Sequence, residues 1–356
     1  MALSDNDQHM LTEILHQPDA WAATIDLMQA NAARLCDLTR AVDEVIFTGC
    51  GSGLNASMTI APAFQAITRI RARAVPAAEI VFFPETVFAA GSRYLVALLS
   101  RSGATSEVVL ACDLVRQREL PTLAITCGAD SPLAQRSSLA LILEAANEKA
   151  VTTTQSLTSM ILCGQLFSGI VAGDDAYLDH LRRLPALGRA VIEAHHSLGR
   201  RIAEDDTLTK FAFVGSGSLQ GVAREGQLKI KEMVLLPSDS YPLLDFRHGP
   251  KSNVDSHMLI TVLSCDRTQH VEAEFLAEMK GLGGRLMVIG DRATSDVRAS
   301  ADYLVELGSG LPDFARDVLY LPPIHFMAFY KSLAQGRHPS TPPNLSYWVE
   351  TRQLKG

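Results

Sequence analysis

The feature that most constrains this fold is a pattern that occurs twice. Glu44-Val45-Ile46-Phe47-Thr48 runs into Gly49-Cys50-Gly51-Ser52-Gly53, and Phe211-Ala212-Phe213-Val214 runs into Gly215-Ser216-Gly217-Ser218-Leu219, 166 residues later. Leu95 to Leu99 ends at Ser100, and Met258 to Leu263 ends at Ser264, an offset of 164 residues. Arg285 to Ile289 answers Thr122 to Thr126, and Ala301 to Val305 answers Leu139 to Leu143. Short apolar runs that end in Gly or a hydroxyl and alternate with helical periodicity predict parallel sheets. The offsets predict an α/β chain of two tandem, doubly wound parallel-sheet subdomains of flavodoxin-like type. We place an N-terminal helical segment at 1–40, a first subdomain at 41–174 and connecting helices at 175–205. A second subdomain follows at 206–335, and a C-terminal tail that closes the site at 336–356. Met10 to Leu38 reads as one or two amphipathic helices, with Pro18 starting a new one. Val151 to Ala172 reads as a long apolar helix with a Thr-rich start.

With 356 residues, 47% of them hydrophobic and 20% charged, the chain can fill two α/β cores. A net charge of −7 argues against a broad nucleic-acid surface, and no helix-turn-helix segment is evident. The six cysteines form no C-x-x-C pair, which points to reduced, buried thiols in a cytoplasmic setting rather than to disulfides or zinc. The polar, acidic start from Met1 to Asp19 is no signal peptide, and no uninterrupted apolar segment is long enough to span a bilayer, so no membrane partner is expected. His195-His196 has no matching ligand elsewhere and reads as helix surface, so no metal is expected. Gly49 to Gly53 contains G-x-G, but Leu54 breaks the dinucleotide pattern and no acid follows about 20 residues on. No cofactor is expected.

Three stretches carry chemistry. Ser100-Arg101-Ser102-Gly103-Ala104-Thr105 follows an apolar strand and opens a helix. Helix N-terminal N–H groups are unpaired and carry the positive dipole end, so they hold phosphate well, and clustered hydroxyls add donors. The alternative is an N-capped helix whose hydroxyls serve only its own backbone. In the second copy the same place reads Ser264-Cys265-Asp266-Arg267-Thr268, where Asp266 would repel an anion. Lys229 and Glu232 are three apart and share a helix face, while Lys231 points elsewhere. Glu232 fits a general base beside a sugar, and a solvated Lys/Glu face is the alternative. Asp245, Arg247, His248 and Lys251 crowd a Gly-Pro loop that has no packing reason to be so charged. A His there can shuttle protons near neutral pH.

Together these pieces resemble the sugar isomerase (SIS) family over nearly the whole chain. The motifs are Thr48-Gly49-Cys50-Gly51-Ser52, Ser100 to Thr105, Val151-Thr152-Thr153-Thr154, Leu228 to Glu232 and His248-Gly249-Pro250. Their order is similar to the isomerase half of glucosamine-6-phosphate synthase. Gly215 to Glu225 and Phe246 to Ser252 look closer to the galactosamine-6-phosphate deaminase/isomerase (tagatose-6-phosphate ketose/aldose isomerase) branch. No glutaminase domain precedes the motifs, so amide transfer from glutamine is not expected.

The resemblance implies a phosphorylated hexose or hexosamine as substrate. Ser52, Ser100, Arg101, Ser102, Thr105, Val151, Thr153 and Lys229 would bind it. Glu232 would move a proton between C1 and C2, and His248 would assist ring opening from the partner subunit of a homodimer. Aldose–ketose isomerisation, with or without loss of ammonia, is the implied reaction. A deglycase of phosphorylated fructosamines and a non-catalytic sugar-phosphate sensor are the alternatives, and a sensor need not keep Glu232 and His248. Tyr347, Gln155, Arg101 and Gly53 depart from the synthase pattern, where Tyr347 stands in place of a lysine.

Overall fold

The computed structural model describes residues 3–351. It divides into two units, one of residues 16–185 with 344–351, the other of residues 3–15 with 186–343. The first-sheet unit holds β1 (Glu44–Gly49), β2 (Arg71–Pro76), β3 (Tyr94–Leu99), β4 (Thr122–Thr126) and β5 (Leu139–Ile142), all parallel in the order β2-β1-β3-β4-β5. β3 is buried at all six positions. A central parallel strand is covered on both faces, so it reads as a continuous apolar run rather than an alternating one.

On one face Phe47 meets Phe64 and Phe167 at centroid distances of 5.4 and 6.4 Å. The latter two come from the helices Ser52–Thr68 and Gln155–Ala172. Ile46, Val96 and Leu98 pack on the other face with Val108, Ala111 and Val115 of the helix Ser106–Gln117. The helix Gln155–Ala172 is long and apolar enough to cross a membrane, which the sequence reading did not anticipate, but 83% of it is buried inside the protein as a core helix.

The second-sheet unit repeats the winding. Its strands β6 (Lys210–Gly215), β7 (Ser238–Tyr241), β8 (Met258–Leu263), β9 (Arg285–Gly290) and β10 (Tyr303–Glu306) run parallel in the order β10-β9-β8-β6-β7. Both sheets therefore reverse direction beside their first strand, the switch point at which open α/β sheets bind ligands.

Two local departures have physical causes. β7 is a short, polar edge strand, Ser238-Asp239-Ser240-Tyr241, without an apolar period to betray it. The first helix runs unbroken through Pro18 from Asp5 to Ala30. Proline forfeits one helical hydrogen bond, but the turn that follows is held by Trp21, fully buried, whose Nε1–H donates to Thr158 Oγ1 at 2.9 Å. Among the described cysteines none is in a disulfide, and Cys36 is exposed rather than buried.

Candidate active site

In the first-sheet unit, register places the turns after β1 and β3 side by side, with Gly49 paired to Leu99. A Cβ on Gly53 would lie 2.6 Å from the Leu99 carbonyl oxygen, so only glycine lets the helix carrying half-buried Ser52 begin this close to the loop after β3. Gly103 has φ +64°, and a Cβ there would meet Ser131 Oγ at 2.1 Å.

Thr105 stands at the N-cap of the helix Ser106–Gln117, yet its side chain makes no capping bond. Thr105 Oγ1 lies instead 3.0 Å from Ser100 Oγ. Ser100 Oγ accepts the Gly103 N–H and Ser102 Oγ accepts the Ala104 N–H, both at 3.2 Å. The loop thus orients its hydroxyls through its own backbone, while the capping reading fails at Thr105. Thr153 Oγ1 is buried and has no partner among the described residues. Val151 is half-buried in the same segment. Burial, and then the Glu107 carboxylate, push the Cys50 thiol up to about 12, so Cys50 stays protonated and is no nucleophile.

The Arg101 side chain is buried and turned onto the protein's own carbonyls. Its Nη1 donates to the Ala150 and Val151 carbonyls at 2.7 and 3.1 Å, and its Nη2 donates to the Tyr347 carbonyl at 2.6 Å. The guanidinium also lies 3.6 Å from the Tyr347 ring centroid. A planar fork fits several carbonyls at once, and here it ties loop and tail together. Tyr347 Oη in turn donates to the Glu148 carbonyl at 2.8 Å. Glu148, which sequence reasoning missed, is buried and accepts the Thr154 N–H and hydroxyl, each at 2.9 Å, at the start of the core helix. Tyr347 therefore holds the tail against this loop, where the synthase pattern has a lysine.

In the second-sheet unit the helix Leu219–Lys229 passes into a π-helical turn, Ile230–Val234. Lys229 is fully buried, which overturns the solvated-face alternative for it. Its Nζ lies 2.7 Å from Glu232 Oε2 and 3.2 Å from Glu225 Oε1. Burial alone would lower the lysine, but the Glu232 and Glu225 carboxylates overcome it and hold the ammonium charged above its usual range. The Glu232 side chain keeps 20% of its surface exposed. Glu225, buried to 1%, was not singled out, although its spacing four residues before Lys229 was legible. His325 is fully buried with neither ring nitrogen partnered among the described residues, and burial reinforced by Lys229 pushes it down to about 3.

The charged loop does have a packing reason for its cations, contrary to the sequence reading. Arg247 pairs with Glu274 and Glu278 at 2.9 and 2.6 Å, and Lys251 pairs with Glu278 at 2.6 Å. Phe246 is buried against Tyr241 and Phe275. His248 is left exposed, and its backbone N–H donates to the Asp245 carbonyl at 2.9 Å.

Comparison with known proteins agrees with this architecture. The SIS domain model matches residues 38–168 and 209–311. A glutamine–fructose-6-phosphate aminotransferase (isomerizing) from Pseudomonas putida is 27% identical over 95% of this chain, which spans only 58% of that relative's length. A proposed D-galactosamine-6-phosphate deaminase from Streptomyces coelicolor is 28% identical over 96% of this chain and 93% of its own. The crystal structure of tagatose-6-phosphate ketose/aldose isomerase from Escherichia coli superimposes with a TM-score of 0.86 at 25% identity, covering 97% of this chain and 96% of that one.

Proposed function

Because the chain belongs to the SIS domain family, we propose that it is an amino-sugar 6-phosphate isomerase that releases ammonia. The Ser100–Thr105 loop holds the phosphate through hydroxyls and helix N–H groups, with Ser52, Val151 and Thr153 placing the sugar. Glu232 takes the C2 proton of the opened aldose, the carboxyl proton exchanges with solvent, and Glu232 then protonates C1. The resulting C2 imine adds water and expels ammonia, leaving the ketose phosphate. The observation that carries this reading is the Lys229–Glu232 pair. The buried Lys229 ammonium, 2.7 Å from Glu232 Oε2, holds that carboxylate in place while 20% of the Glu232 side chain stays exposed to meet a substrate.

His248 assists ring opening, and we read it as donated to a second copy in a homodimer, because the loop is anchored by its neighbours while this ring is exposed. The similarity to the Streptomyces relative over 96% of this chain supports the deamination part of this reading.

A panel of hexose and hexosamine 6-phosphates, assayed for ketose and for ammonia, tests the assignment. Galactosamine or glucosamine 6-phosphate should give both products in equal amounts. Turnover of fructosamine 6-phosphates alone, or of nothing in the panel, would contradict it.

A further inference from the structure

The switch point of the second sheet is not used by the chemistry above, and it is not empty of design. A cavity of about 200 Å³ lies there, lined among others by Ser216, Ser218, Phe314 and Asp317. It is the counterpart of the phosphate loop in the first-sheet unit, yet its anion position is filled by protein. The Asp266 N–H donates to Asp313 Oδ1 at 2.9 Å, and Arg316 Nη2 donates to the same oxygen at 2.7 Å. Arg316 also reaches both carboxylate oxygens of Asp266, at 2.7 and 3.2 Å. Arg267 lies 3.6 Å from Asp313 Oδ2. The loop's cations and its free N–H are thus matched by the protein's own carboxylates, so a phosphate would meet negative charge.

Asp317 is different. It is fully buried, its Oδ1 accepts the Ser218 hydroxyl at 2.9 Å, and its Oδ2 has no partner among the described residues. A buried, unpartnered carboxyl oxygen is costly and calls for an explanation. Burial raises this group to about 7, so near neutrality it both donates and accepts. Such a group next to a serine hydroxyl and an aromatic wall suits ligand hydroxyls, and it suits a charged ligand of neither sign.

We propose that this cavity is a second binding site, for an unphosphorylated polyol of about monosaccharide size that hydrogen-bonds Asp317. The site is independent of the Ser100–Thr105 loop and of Glu232, so its fate does not depend on the reaction assigned above.

Ligand-observed saturation-transfer NMR on the full chain with D-glucose, D-galactose and myo-inositol, each titrated to 20 mM, tests it. At least one should give a saturable signal. Ser216→Leu adds bulk at a half-buried lining residue and should abolish that signal, and Asp317→Asn should weaken binding about tenfold while the fold, read by circular dichroism, persists. A saturable signal that survives Ser216→Leu places the polyol elsewhere and overturns the proposal. So does the absence of any saturable signal in the unaltered protein.

Discussion

Replacing Lys229 with methionine isolates the electrostatics of the candidate site. The substitution keeps most of the apolar stem and deletes the ammonium. Glu225, 1% exposed, then holds its carboxylate without the cation that stood 3.2 Å away. Glu232, 20% exposed, can still lean on water. Breaking a buried pair by removing one partner costs about 3–5 kcal/mol, because an uncompensated charge is left inside. Lys229→Met should therefore lose stability in that range, most of it through Glu225. Adding Glu225→Gln removes the buried carboxylate that faced the ammonium, so the double variant should recover about 2 kcal/mol of the loss. Urea unfolding followed by far-ultraviolet circular dichroism is the assay. Trp21 and Trp348 both belong to the other unit, so tryptophan fluorescence would watch the wrong half. A loss under about 1 kcal/mol for Lys229→Met, or a double variant no more stable than the single one, would refute the reasoning.

Two further outcomes follow from the same geometry. Arg101→Ala removes donors to three carbonyls and the contact with the Tyr347 ring, so limited proteolysis should cut the tail around 344–351 faster than in the unaltered protein; equal cutting rates would show that Arg101 does not pin the tail. His325 ordinarily titrates near 6.5 but is held down to about 3, so the folded state binds fewer protons than the unfolded one across that window. Its contribution to stability is therefore lost as pH falls from about 6.5 towards 3, and His325→Leu should flatten that acid limb in thermal unfolding scans; an unchanged slope would show that the ring finds a proton in the folded state.

The winding was legible because parallel strands buried on both faces announce themselves as unbroken apolar runs, as Tyr94 to Leu99 and Met258 to Leu263 do. β7 was not, since an edge strand of Ser-Asp-Ser-Tyr carries no such run. Lys229 meets Glu232 as their three-residue spacing on one helix face permits. Long side chains were harder. Nothing local tells whether Arg101 turns towards a ligand or reaches the Tyr347 carbonyl, some 246 residues away in sequence. The same holds for Arg247 and Lys251, whose partners Glu274 and Glu278 lie on a separate helix. Glu148 was missed because its role appears only once the chain folds back to offer it the Thr154 N–H.

The central claim, that Glu232 carries a proton between adjacent carbons of a phosphorylated sugar, is tested most directly by isotope exchange. The preferred 6-phosphate is incubated with the protein in D₂O, and the recovered ketose phosphate is examined by mass spectrometry and NMR. The account predicts one solvent deuteron at C1 in the unaltered protein. With Glu232→Gln it predicts loss of exchange and turnover by more than about 100-fold while the sugar phosphate still binds. Full exchange in Glu232→Gln, or product free of deuterium at C1 throughout a slow turnover, would contradict it.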